Sequence, residues 1–111
     1  MERGNLYRVK NPSRLDPKKF RVYVVISCRR FILSSYQTVI CAPVYTNRNG
    51  LPTEVYVGID EGLKHDSAIR CDELISVEKS KLTDFIGTLS AQKINELNQA
   101  LKIALEIENN G

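Results

Sequence analysis

Val22-Tyr-Val-Val-Ile-Ser27 decides how this chain folds. Val22, Val24, Val25 and Ile26 are branched at Cβ, which suits the pleated surface of a strand and restricts side-chain freedom in a helix. The run is nearly continuous in its apolar character, as expected of a strand buried on both faces in the middle of a sheet. Outward from it lie further short apolar segments punctuated by turn residues. Asn5 to Val9 reads as a strand. Lys10 to Lys19, with Pro12, Ser13, Asp16 and Pro17, reads as a basic loop. Arg29 to Ser35 suits a short helical turn. Thr38 to Val44 is a second apolar strand that ends at or just after Pro43. Tyr45 to Pro52 is a loop with the strong turn signal Asn49-Gly50. Glu54 to Val57 alternates as a strand, and Gly58 to Asp66 is an irregular charged connection. Ser67 to Asp72 and Leu74 to Val77 read as two more strands, and Leu82 with Phe85 to Thr88 supplies a last apolar segment. About six or seven short strands joined by tight turns predict a mainly β (α+β) fold, as a small barrel or highly curved sheet.

The C-terminal stretch changes period. Ser90 is a good N-cap. Ile94, Leu97, Leu101, Ala104 and Leu105 then recur at spacings of three and four, which predicts an amphipathic helix laid over an open face of the sheet. Glu108 to Gly111 is polar and is expected to fray. A chain of 111 residues is long enough for one core and too short for two domains, so residues 1–111 are read as a single domain.

The formal net charge is +3, but it is unevenly spread. Residues 1–30 carry nine Lys or Arg against Glu2 and Asp16, a net of +7, while the remainder carries a net of −4. Such a bias focuses a field that attracts a polyanion or an acidic peptide; a solvated basic sheet edge is the plainer alternative. The three cysteines, Cys28, Cys41 and Cys71, are odd in number and widely spaced, which argues against a disulfide scaffold and suits a reducing compartment. Cys28 and Cys41 read as core or near-core residues. With one histidine, His65, and no CxxC, neither a metal site nor a cofactor is expected. The Met-Glu-Arg-Gly start lacks an apolar run, and no stretch is long enough to span a bilayer, so a cytoplasmic protein without membrane attachment is expected.

Four regions place polar groups among apolar runs: Arg21 at the mouth of strand 22–27, Tyr45-Thr46-Asn47 after strand 38–44, the pair Arg70 and Asp72, and the basic loop. Residues two apart on a strand share a face, so Arg70 and Asp72 are expected side by side, either as a structural ion pair or as catalytic groups. Cleavage of RNA needs no metal if the 2′-hydroxyl attacks its own phosphate; the protein must then accept a proton, stabilise a crowded phosphorane and assist the leaving 5′-oxygen. Asp72 is the candidate proton acceptor. Arg21 and Arg70 are candidates for gripping phosphate oxygens through planar forks, and arginine is too weak an acid to donate the proton. His65, in a loop beside Asp66, is the side chain best suited by type to proton transfer, or simply an exposed loop residue. Thr46 and Tyr45 offer hydroxyls. Tyr7, Tyr23, Tyr36 and Tyr45 are candidates for base stacking or for half-buried sheet positions. Lys10, Arg14, Lys18, Lys19, Asn47 and Arg48 are the further candidates for RNA contact.

Six segments in order resemble the MazF/PemK toxins of bacterial toxin–antitoxin pairs: RGNLYRV (3–9), FRVYVVIS (20–27), TVICAPVYT (38–46), LPTEVYV (51–57), GLKHDSAIRCDEL (62–74) and KSKLTDFIGTLS (79–90), followed by the terminal helix. The resemblance runs from about Arg3 to Ile107. It implies an SH3-like barrel, a homodimer, and sequence-preferring, metal-independent cleavage of single-stranded messenger RNA to 2′,3′-cyclic phosphate and 5′-hydroxyl ends. It also implies a cognate antitoxin whose tail occupies the RNA groove, with any DNA contact made only through that antitoxin. Carried over by motif, Arg21, Thr46, Arg70 and Asp72 become the catalytic set, and replacing Arg21 by Ala is expected to lose most cleavage while leaving the fold intact. Asn5 stands where the family has aspartate, Val22 where it has proline, and the loop 10–19 lacks the family's Gly-x-Glu-Gln. Alignment on Pro43 puts Tyr45 at the usual catalytic threonine; either Thr46 takes that role, or the tyrosine hydroxyl does, or the site is altered. Two other activities remain compatible with the sequence: a non-catalytic RNA- or peptide-binding module, and a poison of DNA gyrase like the CcdB toxins that share this fold.

Overall fold

A computed structural model describes residues 1–10 and 14–108; the fraying expected at the C-terminus, and Pro12 and Ser13 of the basic loop, fall outside these. Seven strands form one curled, half-barrel sheet: β1 (Asn5–Lys10), β2 (Phe20–Val25), β3 (Thr38–Tyr45), β4 (Glu54–Val57), β5 (Ser67–Arg70), β6 (Ile75–Glu78) and β7 (Asp84–Thr88). Two helices accompany them, α1 (Arg29–Leu33) and α2 (Ala91–Ala104). The sheet runs β4-β5-β3-β2-β1-β7, and β6 also pairs with β3. The mainly β barrel-like fold with a C-terminal helix is therefore as read from the sequence.

The strand around Val22 is central, as its apolar run requires. β2 lies between β1 and β3, with Tyr7 opposite Tyr23 and Val24 opposite Ala42. Its two faces feed different cores. Val24 joins Leu6, Val44, Val55, Ile69, Leu97 and Leu101 beneath α2, while Tyr23 and Val25 join Val9, Ile32, Val39, Cys41 and Val77 on the other side. Tyr7 and Tyr23 are thus buried sheet residues and cannot stack on bases.

The curl comes from β3. One edge of this strand pairs with β2, whereas the other is shared: Thr38 to Cys41 pair with β6, and Val44 and Tyr45 pair with β5. Two partners in succession on one edge bend the sheet instead of extending it. The gap between the terminal strands β4 and β7 is spanned by the loop that follows β4. Gly62, at φ +91, and Gly87 on β7 make this possible. A Cβ on Gly62 would collide with the Ile86 carbonyl, and one on Gly87 with the Glu61 carbonyl, so the two backbones meet where no side chain fits.

α2 is capped as expected, with the Ser90 hydroxyl accepting from the Lys93 amide at 3.1 Å. Leu97, Ala100 and Leu101 are buried, and Ile94 and Ala104 pack beside them. Leu105 departs from the expected stripe: it is the C-cap and is 54% exposed. Cys28 also departs from expectation, being exposed ahead of α1, whereas Cys41 and Cys71 are buried.

Candidate active site

Arg21 is only 7% exposed, and its surroundings account for a buried guanidinium. The chain before β2 folds back so that Asp16 meets it with both oxygens. Arg21 Nε donates to Asp16 Oδ2, and Nη2 donates to Oδ1 at 2.9 Å. Nη1 donates to the Val44 carbonyl at 3.0 Å. Three of the fork's N–H groups are committed, two of them in a bidentate charge-assisted pair. Removing this side chain would take from Asp16 its cationic partner, leaving the Lys18 amide as a donor to Oδ1 at 3.0 Å, and would take a donor from the Val44 carbonyl, so Arg21 also supports the local packing.

Tyr45 lies against Arg21. The register that sets Val22 opposite Val44 carries Arg21 alongside Tyr45, and the guanidinium carbon stands 3.9 Å from the centre of its ring. On the other edge of β3, Tyr45 pairs with Ala68, two residues from Arg70, and the Arg70 guanidinium carbon is 4.0 Å from the same ring centre. The Tyr45 hydroxyl donates to Glu73 Oε1 at 2.9 Å, and Arg70 Nη1 donates to Glu73 Oε2 at 3.1 Å. Beneath Arg70 is Glu54, its partner across β4 and β5, whose side chain is fully buried. Glu54 Oε1 accepts from the Asn49 amide at 3.0 Å and the Leu51 amide at 3.3 Å, closing the loop after β3. Its Oε2 stands 4.0 Å from Arg70 Nε, and neither atom has a hydrogen-bond partner.

Beside this column opens a cleft of about 420 Å³. Arg8, Lys18, Arg21, Thr46, Lys64, His65, Ser67 and Asp84 supply its polar lining, and Phe20, Val22, Val44, Leu63 and Ile86 its apolar walls. Arg8 is bridged to Asp84 at 3.0 Å and lies over Phe20. An adjoining groove continues past Arg8 and Phe20 to Lys10 and Lys81. The combined surface is largely apolar and carries more basic than acidic side chains, which suits a strand of phosphates carrying bases.

The other sequence candidates divide. Thr46, Lys18 and His65 line the cleft with Arg21, and Lys10 lines its extension. Arg14, Lys19 and Asn47 are exposed, with Asn47 Nδ2 3.4 Å from Asn49 Oδ1. The shared strand face expected for Arg70 and Asp72 does not form. β5 ends at Arg70, and Asp72 is exposed in the following turn. The carboxylates beside Arg70 are those of Glu73 and Glu54. Arg48 is a clamp: Nε donates to the Ser67 carbonyl at 3.1 Å, Nη2 to the Val57 carbonyl at 3.0 Å, and the guanidinium lies over Tyr56. It lines a different pocket, with Asp60 and Asp66.

The family of PemK-like, MazF-like toxins of type II toxin–antitoxin systems matches residues 2–105. The chain belongs to that family. Endoribonuclease MazF6 of Mycobacterium tuberculosis and endoribonuclease MazF2 of Mycobacterium bovis are each 27% identical to it over 99 residues, covering 86% of this chain and 87% of theirs. In three dimensions it is similar to the M. tuberculosis toxin MazF-mt6, with a TM-score of 0.82, 24% identity and coverage of 95% and 99%. It is equally similar to a mycobacterial endoribonuclease in complex with its cognate antitoxin, with a TM-score of 0.83, 23% identity and 98% of both chains covered.

The departures from the toxin motif now have locations. Asn5 is buried; its side chain accepts from the Glu2 amide at 2.7 Å and reaches Thr88 at 3.2 Å, joining the N-terminus to β7. The Tyr45 phenol is pushed up from its ordinary value, first by burial and then by its hydrogen bond to Glu73. It therefore stays protonated near neutral pH, and Thr46 and Ser67 are the hydroxyl side chains that line the cleft with Arg21. Sequence reasoning on this toxin missed Asp16, Glu54 and Glu73. One signal was available: Asp16 is the lone acid in a basic loop five residues before a candidate arginine.

Proposed function

We propose that this toxin is a cytoplasmic, metal-independent endoribonuclease that cuts single-stranded RNA at preferred sequences. The observation that carries the reading is the buried Arg21 fork at the wall of a cleft that Lys18, Thr46, Lys64 and His65 also line. The 2′-hydroxyl attacks the adjacent phosphorus, the bond from phosphorus to the 5′-oxygen breaks, and a 2′,3′-cyclic phosphate and a 5′-hydroxyl result. The attacking hydroxyl loses a proton and the departing oxygen gains one, so no water or external reagent is consumed. Arg21 supports the phosphorane charge, exchanging Asp16 for phosphate oxygens of the same bidentate geometry. Thr46 orients the phosphate. Lys18, Lys64 and His65 hold the strand, and Lys10 follows it outward. His65 is the lining group whose side-chain type suits proton transfer. Arg70 adds positive charge from behind Tyr45, and Asp72, at the surface beyond β5, is assigned to the outer part of the site.

The active form is a homodimer inhibited by an antitoxin with an acidic segment. Asp16 seated on Arg21 supports this, because the fork already accepts a carboxylate. Any contact with DNA belongs to that antitoxin. The deciding experiment is incubation of purified, antitoxin-free protein with a long RNA of varied sequence in EDTA, followed by mapping of the new 5′ ends. Discrete cuts bearing 5′-hydroxyls are expected. Intact RNA after prolonged incubation would reject the reading, and tight binding without products would favour the non-catalytic module.

A further inference from the structure

We propose that Tyr45 is a positioning residue: its ring holds Arg21 and Arg70 in place for the RNA phosphate and does not itself stack on a base. The proposal rests on the endoribonuclease reading for its catalytic consequence, though not for its structural one. Both guanidinium carbons stand about one stacking distance from the same ring centre, at 3.9 and 4.0 Å. Each arginine is also held by a carboxylate, Arg21 by Asp16 and Arg70 by Glu73. The ring's own hydroxyl is fixed to Glu73 as well. Asp16, Arg21, Tyr45, Arg70 and Glu73 therefore form one connected column. A ring with a guanidinium at 4 Å on each count has little face left for a base.

Arg70 shows what the ring prevents. Its Nε lies 4.0 Å from the buried Glu54 Oε2, and both atoms lack a hydrogen-bond partner. Closing that gap would satisfy two buried charged groups, which is ordinarily a strong inducement. Stacking on Tyr45 and the bond to Glu73 keep the guanidinium short of it. Without the ring, Arg70 drops onto Glu54 and moves away from Arg21. The electron-rich ring that both cations touch also eases their mutual repulsion.

The test uses the full-length protein without RNA first. In the side-chain Nε–Hε spectrum, the ring should shift the signals of Arg21 and Arg70 upfield. Tyr45→Phe should retain both shifts; Tyr45→Ala, and Tyr45→Leu, which fills the space without a π face, should lose both. Shifts that persist in the Leu variant would overturn the proposal. In cleavage assays, Tyr45→Phe should stay within about threefold of the parent, while Tyr45→Leu should lose about tenfold or more in kcat with KM changed by less than about threefold. A variant that raises KM alone would mean base stacking and would also overturn it. Absence of cleavage by the parent protein would reject the endoribonuclease reading while leaving the spectral result to stand or fall separately.

Discussion

Asp16 grips the Arg21 guanidinium with both carboxylate oxygens, in a pair whose side chains are 5% and 10% exposed, arginine first. A pair this buried is costly to break from one side, because the remaining charge has no water to turn to. Asp16→Asn should lower the unfolding free energy by about 2–4 kcal/mol, measured by urea denaturation in a buffer free of phosphate. Inorganic phosphate should recover part of the loss, and its stabilising effect should be larger for the variant than for the parent, since the fork is then open to it.

Arg21→Ala is consequently a poor probe of catalysis. It should destabilise by about 3–5 kcal/mol, because Asp16 loses its cationic partner and the Val44 carbonyl loses a donor. Arg21→Lys keeps the charge and one hydrogen bond but not the fork. Cleavage should fall about a hundredfold in Arg21→Lys with a smaller loss of stability than in the alanine variant, as judged by initial rates and urea midpoints. A lysine variant with the parental rate would remove the bidentate grip from the mechanism.

Lys64 and Arg48 are separated by purpose. Lys64 lines the cleft, whereas the Arg48 donors are given to the Ser67 and Val57 carbonyls. Lys64→Ala should weaken RNA binding and reduce the salt dependence of log Kd by about 0.7, one phosphate contact on a single strand. Arg48→Ala should leave that slope unchanged and instead cost about 1–3 kcal/mol of stability. Filter binding across a salt series and urea denaturation distinguish the two outcomes.

Alkaline pH should unfold the toxin earlier than its surface charge suggests. Burial pushes the Cys41 and Cys71 thiols up to about 12 from 9.0, and the Tyr23 phenol up to about 12 from 10.0. Above pH 9.0 the unfolded chain releases these protons before the folded one does, so the folded state binds more protons and stability falls with rising pH. The contribution is complete below pH 9.0 and is progressively lost toward about 12. Urea denaturation at pH 8, 9.5 and 10.5 should show the decline. A flat profile would mean that these groups ionise equally in both states.

Much of the fold was legible because local chemistry and tertiary position agree. Branched residues from Val22 onward demand a buried strand, and β2 is one. The spacing of Leu97 and Leu101 demands a covered helix face, and α2 provides it. Leu105 was misread because periodicity does not reveal where a helix stops. The expected nearness of Arg21 and Thr46 matches the cleft they both line, since they sit on or beside strands with strong signals. Its carboxylates were not. Asp16 reaches Arg21 through a backfolded loop, Glu54 reaches Arg70 through strand register, and Glu73 does so through the turn that ends β5 two residues early. Asp16 and Glu73 are near their arginines in sequence, but the loop and turn geometry that brings them together is not written in residue types, and the Glu54 pairing depends on strand register. The Arg70 and Asp72 expectation failed for that same reason: it assumed that the strand continued past Arg70.

The meeting of Gly62 with Gly87 has a consequence for how such a protein can diversify. The loop that carries Lys64 and His65 is rooted by a backbone-to-backbone joint, with Leu63 packed on the core and the buried Glu61 carboxylate bonded to the Gly58 amide. Its tip can therefore change composition while its root stays in register with β7. Descendants could acquire new preferences for nucleotide sequence by altering two or three residues at that tip, with the barrel wall beneath them untouched.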